Sequence, residues 1–183
     1  MKKFSFPIIL GMVAMGMSVF GQTPPQFPTR TGTVLEPVVT MSFGDFTIPV
    51  NSSGGSLTVG TDGSRTPGGD VYLLNMGTPV RAAMFEFKLC PGRTITVYYP
   101  TNAQLQGTGG SNGFGYLELK DLNFKVDGGT IDDSGTGYIK FTSNTGCNDV
   151  HRIYMGGTLK VRPLSYNPSG TYHTDVSLTI VQK

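Results

Sequence analysis

The 183-residue chain carries 14 basic and 12 acidic side chains, two cysteines and no tryptophan. A net charge of +2 on scattered basic residues gives no electrostatic footprint for nucleic acid, whose phosphates must be neutralised several at a time. A chain of this length fits one domain around one core, which argues against a multidomain assembly.

The chain opens with Lys2 and Lys3, then runs apolar from Ile8 to Phe20 and reaches Gly21 before Gln22. A charged start, an apolar middle and a small residue at the cut mark a secretory signal peptide, so residues 1–21 are expected to be removed on export. The apolar run falls short of the ~20 residues that span a bilayer, and no later run approaches it, so no transmembrane segment is expected after cleavage. Losing Lys2 and Lys3 also evens acid and base, so the positive excess belongs to the leader. Residues 22–37 contain Pro24, Pro25, Pro28 and Pro37, which cannot donate to a continuous ladder; they read as an extended N-terminal linker or arm ahead of a domain over 38–183.

From Val38 onward, short alternations of apolar and polar residues are divided by Gly, Pro, Asn and Asp, the pattern of half-buried strands joined by tight turns. Strands are predicted over 39–50, 56–59, 70–74, 81–89, 94–99, 115–126, 137–142, 153–162 and 172–181. Turn chemistry lies between them at Asp62-Gly63, Pro67-Gly68, Pro91-Gly92, Asn112-Gly113, Asp127-Gly128 and Ser169-Gly170. Helical spacing is nowhere sustained, and parallel strands would need crossover helices. The expectation is therefore an all-β, antiparallel β-sandwich or barrel in one domain. Phe85, Phe87 and Leu89, opposed by Glu86 and Lys88, form one core face, and Ile95, Val97 and Tyr99 another. In 172–181 the inward register is Tyr172, Thr174, Val176, Leu178 and Ile180, with His173, Asp175, Ser177 and Thr179 outward. Tyr172 stands where its ring can pack while its hydroxyl reaches backbone, as in the tyrosine corner of immunoglobulin-like sandwiches.

Export places Cys90 and Cys147 where thiols oxidise, so an intramolecular disulfide is the first reading of the pair. In the chain-entropy view, closing so long a loop removes roughly 4 kcal/mol of unfolded-state freedom. Free thiols, intermolecular bonding or metal ligation with Asp149 and His151 are the alternatives; a Cys-x-x-Cys redox spacing is missing.

Reaction chemistry finds few parts. His173 falls on a polar strand face, and His151 is expected to be solvated or locally hydrogen-bonded. There is no Gly-x-Ser-x-Gly elbow. The stretch 107–115 is rich in glycine, but Asn112 stands where a dinucleotide loop needs glycine and no Lys-Ser/Thr follows, so it reads as a loop between strands. Asp127, Asp132 and Asp133 lack the spacing of a Ca²⁺ loop and read as a solvated hairpin tip. No catalytic, cofactor or metal residue is expected, and the chain is not expected to be an enzyme. Tyr98, Tyr99, Tyr116, Tyr138, Tyr154 and Tyr166 offer one alternative, an exposed platform on which sugar rings stack.

Several runs together carry a resemblance. They are Phe43-Gly44-Asp45-Phe46, Gly55-Ser56-Leu57-Thr58-Val59, Gly63-Ser64-Arg65-Thr66, Gly69-Asp70-Val71-Tyr72-Leu73-Leu74 and Ala82-Ala83-Met84-Phe85-Glu86-Phe87, with Gly156-Gly157-Thr158-Leu159-Lys160-Val161 and Gly170-Thr171-Tyr172 near the end. Across 38–183 the chain resembles the secreted bacterial family catalogued as domain of unknown function 4402. That family is similar in layout to spore-coat-U-like and chaperone-usher pilin subunits. The more distant likeness implies an immunoglobulin-like sandwich, complete or with an open groove that a neighbouring subunit's strand fills. The arm at 22–37 departs from a pilin donor strand, offering only Phe27, Val34 and Leu35 among its prolines.

The functional expectation is an exported, non-enzymatic sandwich acting as a structural or adhesive component of the bacterial envelope or exterior, in the periplasm, at the cell surface or outside the cell. Its partners would be other envelope or surface proteins meeting it through sheet edges, without nucleic acid. The alternative is a carbohydrate-binding module that holds a glycan on exposed tyrosines.

Overall fold

A computed structural model describes residues 36–108, 115–127, 129–144 and 146–182. Residues 1–21 read as a leader, the arm up to Leu35, most of the glycine-rich stretch and Gly128 lie outside those residues, and so do the expectations placed on them. Gly32–Lys183 forms one unit, to which every described residue belongs; Met1–Thr31 forms another that lies outside the description.

The described residues form fourteen strands and no helix. In chain order they are β1 (Glu36–Val39), β2 (Phe46–Thr47), β3 (Gly55–Val59), β4 (Arg65–Gly69), β5 (Tyr72–Leu73), β6 (Ala83–Lys88) and β7 (Thr94–Tyr98). There follow β8 (Asn102–Thr108), β9 (Tyr116–Asp127), β10 (Gly129–Gly135), β11 (Tyr138–Ser143), β12 (Val150–Val161), β13 (Thr171–His173) and β14 (Thr179–Gln182). All pairings between them are antiparallel. The larger sheet runs β1-β6-β12-β9-β8-β13, with β3 on β12 and β4 beyond it. The smaller runs β10-β11-β7-β14, and β2 and β5 make a short ribbon. The two main sheets pack as a β-sandwich, as the two-residue rhythm predicts.

β12 is the spine. Along one edge its first half pairs with β6 and its second with β3, while β9 lies along the other edge. Between Gly156↔Asn123 and Thr158↔Lys120 the register slips by one residue on β9. Asp121 takes up the slip with φ 51°, the left-handed region a β-bulge residue can occupy. Inward residues therefore change phase along β9, from Leu117 and Leu119 to Leu122, Phe124 and Val126. Glycine is required opposite the bulge: a Cβ on Gly156 would run into the Val59 carbonyl oxygen, and one on Gly157 would lie 2.9 Å from the Leu119 and Leu122 side chains.

The bend divides the interior into two clusters. One gathers Leu57, Leu105, Leu117, Leu119, Leu159 and Val161, and the other Phe87, Ile95, Val97, Phe141 and Ile153. The second lies beneath the four-stranded sheet, where Ile95, Val97 and Phe141 are fully buried, each contributing about 1.5–3 kcal/mol from removal of apolar surface from water. Tyr99 joins this cluster against Phe124 at a ring separation of 4.6 Å.

Several boundaries differ from the sequence expectation. The strand predicted over 39–50 is instead the end of β1, a largely irregular stretch and β2; Glu36 and Pro37, read as the end of the linker, are already in β1. β4 contains Pro67-Gly68, read as a turn, because an edge strand tolerates a residue that cannot donate. β10 forms where a solvated tip was read, with Asp132 and Asp133 exposed on a strand that pairs with β11. β8 also escaped notice, since only Ala103 and Leu105 face inward from a polar run.

Candidate functional site

The most consequential departure is at the end of the chain. Residues 171–181 alternate half-buried and exposed without a break, as the sequence rhythm requires, yet they do not form one strand. β13 pairs with β8 in the larger sheet and β14 with β7 in the smaller, and 174–178 cross between them with no strand partner among the described residues.

Beside this crossing lies a cavity of about 820 Å³. Its floor is the inner face of the larger sheet, including Leu105, Leu117, Leu119 and Leu159. One wall is 37–48 and the other 167–176. Among the described residues no strand of the smaller sheet covers this cluster; side chains from the two walls do, leaving Leu105, Leu117, Leu119 and Leu159 at most 9% exposed, while Phe43, Phe46, Tyr172 and Val176 stay half-buried.

Both walls are fixed from behind. Arg65 on β4 donates to the carbonyl oxygens of Phe43, Asp45 and Leu74 at 3.2, 3.0 and 3.2 Å, and the Asp45 carboxylate accepts the Thr78 amide at 3.2 Å. Gly44 sits at φ +66° with the guanidinium 2.8 Å from where a Cβ would stand, so a side chain there would displace the clamp. In the other wall, buried Asn167 donates to the Tyr116 carbonyl at 2.7 Å and accepts the Arg162 amide at 3.1 Å. The Tyr172 hydroxyl donates to the Pro168 carbonyl, which realises the tyrosine corner expected from the sequence; burial pushes this phenol's pKa up. Glu118 bonds Lys120 and Arg162, both at 2.8 Å, and these two cations hold its carboxyl below the usual carboxylate range. The opening is thus a preformed groove between braced walls, floored by aliphatic side chains and edged by backbone without a ladder partner. Chemically it suits an extended, apolar segment.

A family model described as "Domain of unknown function (DUF4402)" matches residues 34–181. The chain belongs to the DUF4402 family. No curated protein matches it, and no solved structure does. The resemblance read from the strand and turn punctuation is therefore upheld, and the groove is a feature of a DUF4402 domain.

The remaining sequence candidates sit elsewhere on this DUF4402 chain. Cys90 and Cys147 form a disulfide, joining the turn after β6 to the loop before β12, and both are exposed. His151 is not solvated: it is fully buried, stacked on Phe87 at 5.2 Å and hydrogen-bonded through Nε2 to Ser143 Oγ at 2.9 Å. Ser143 in turn donates to the Leu89 carbonyl at 3.2 Å, so the group ties β11 and β12 to the disulfide end. The neighbouring Asp149 carboxylate accepts the Gly146 amide at 2.7 Å. His173 is exposed on β13. Asp133 accepts from the Tyr138 hydroxyl at 3.2 Å, and Asp127 faces Lys125 at 3.6 Å. Among the described residues no three His, Cys, Asp or Glu side chains are grouped to hold a metal ion.

The tyrosines do not make one platform. Tyr99 is in the core, Tyr116 lies under the Arg162 guanidinium at 4.4 Å, and Tyr154 is near Lys125 at 5.8 Å. Tyr166 is 65% exposed, and only Tyr98 and Tyr138 meet, with ring centroids 6.4 Å apart. Sequence reading missed the groove residues as a site because each wall reads as ordinary strand; the opening arises only where the walls come together.

Proposed function

We propose that this DUF4402 chain is an exported, non-enzymatic structural or adhesive component of the bacterial envelope or exterior, a pilin-like subunit with an immunoglobulin-like layout. Its groove receives an extended strand from a neighbouring envelope protein. The supporting observation is the braced, aliphatic opening beside 174–178, whose backbone has no strand partner among the described residues. An incoming strand would supply the missing ladder and place alternate side chains against the half-buried Phe43, Phe46, Tyr172 and Val176, which combines main-chain affinity with side-chain selectivity. Export is supported by Lys2, Lys3 and the apolar run up to Phe20. The carbohydrate reading keeps only the Tyr98–Tyr138 pair, so it is the weaker of the two.

A photoreactive residue at position 176, in the groove wall, tests this in intact cells. The expected result is an adduct with another polypeptide in the envelope or external fraction, absent when the probe sits at exposed Thr66 on the far edge. Val176→Arg should lower co-purification of that neighbour by at least about tenfold, since the bulky charge blocks an apolar slot, with little change in melting because Val176 is only half-buried. A cytoplasmic protein, or one that crosslinks to nothing through position 176, would refute the assignment.

A further inference from the structure

Period-two alternation gives the strands that floor the groove a second, outward side. Where Leu57, Leu105, Leu117, Leu119 and Leu159 turn inward, their neighbours on β3, β8, β9 and β12 turn outward and align across the ladder. One row reads Ser56, Lys160, Glu118 and Gln104, and the next Thr58, Thr158, Lys120 and Asn102. Tyr116 and Gln106 pair beside the first row, and Arg162, just past the end of β12, reaches Glu118. The charges at this end do not cancel. Farther along the same face each cation has its own acid: Arg152 bonds Glu86 at 2.8 Å, and Lys125 faces Asp127 at 3.6 Å. Here Lys120 and Arg162 share the one Glu118 carboxylate, while exposed Lys160 makes no ion pair among the described residues. Asp121, in the bulge, pairs with none of these three cations.

We infer that this outer face binds a carboxylated polysaccharide, a chain of sugars bearing uronate-type acids. Glu118 keeps the Lys120 and Arg162 head groups gathered, so a surplus of positive charge is already assembled beside Lys160 when an anion arrives. The surplus is small. That suits single carboxylates spaced by neutral hydroxyls better than a dense array of phosphates, which needs many cations at once. Around it stand Ser56, Asn102, Gln104 and Gln106, whose hydroxyl and amide groups donate and accept hydrogen bonds as sugar hydroxyls require. Other polyanions would lack their second contact here. No aliphatic side chain stands in these rows, so nothing would anchor the face in a lipid surface. The one aromatic ring, Tyr116, lies under the Arg162 guanidinium at 4.4 Å and is closed to a stacking base. The face is opposite the groove, and its binding does not depend on whether the groove takes a strand.

Fluorescence anisotropy with labelled polygalacturonate in low-salt buffer tests it. The wild type is expected to bind with a dissociation constant below about 100 μM and to lose affinity as salt rises. The fully methyl-esterified polymer, which keeps the sugars and lacks the charge, should bind at least about tenfold more weakly. Lys160→Glu should weaken binding by at least about tenfold, with an unchanged melting curve because Lys160 is exposed. Arg93→Glu, an equal change of charge at the exposed turn beside Cys90, should alter it less than about twofold. Gln104→Ala, with no change of charge, should weaken it by about threefold, which separates sugar recognition from bare electrostatics. A wild type that ignores the polymer, equal affinity for the ester, a Lys160→Glu loss matched by Arg93→Glu, indifference to Gln104→Ala, or tighter binding to phosphatidylglycerol vesicles or single-stranded DNA would overturn the inference.

Discussion

Phe141→Ala is expected to destabilise the domain by about 3–5 kcal/mol, as large-to-small changes of fully buried aromatic residues do. Phe141 sits on β11 with no exposed surface, at the centre of the cluster beneath the four-stranded sheet. Its ring tilts against Phe87 at 5.3 Å and faces His151 at 6.4 Å, so truncation also strips contacts from the His151–Ser143 link. With domains commonly stable by only about 5–15 kcal/mol, such a loss would consume a large share of the total. Urea unfolding followed by circular dichroism measures it. A change under about 1 kcal/mol would mean that this cluster is not close-packed around the ring.

Replacing both cysteines, Cys90→Ser with Cys147→Ser, should cost roughly 4 kcal/mol, because the bond closes a loop with a sequence separation of 57 and limits the unfolded chain. The loop encloses β7 to β11, so the whole four-stranded sheet except β14 is tethered by it. Both cysteines are exposed, so serine fits in the folded state and the loss should come from the unfolded ensemble. The check is the denaturation midpoint of the double variant against that of the wild type with and without reductant. Reduction and substitution should lower it alike. A midpoint that neither treatment moves would assign the bond no structural weight.

Much of the layering was legible in the sequence. Alternation placed Phe87, Leu89, Ile95 and Val97 in the core and assigned the inward and outward rows of 172–181 correctly, because a strand's two faces depend only on period two. The disulfide followed from an even cysteine pair in a chain read as exported. Hidden features were those set by tertiary context. His151 lies among polar and charged neighbours, which suggested solvent, although it shares odd spacing with Ile153 and Met155, and that spacing was the available signal. The bulge at Asp121 changes phase without any glycine or proline of its own on β9. The groove was illegible in principle: no local pattern says that a strand-like run will leave one sheet for the other and lack a neighbour between 174 and 178.

Because β9 and β12 pass beneath both clusters, the domain cannot fall apart into independent halves, but its two ends need not be equally fastened. One end is roofed by laddered strands, while the other is roofed by segments hung on the Arg65 and Asn167 clamps. Breathing should therefore begin at the rim, with deuterium entering the amides of 40–45 and 174–178 long before those of Ile95 or Phe141. Mass spectrometry would register that order as a gradient of protection running from the open end to the disulfide.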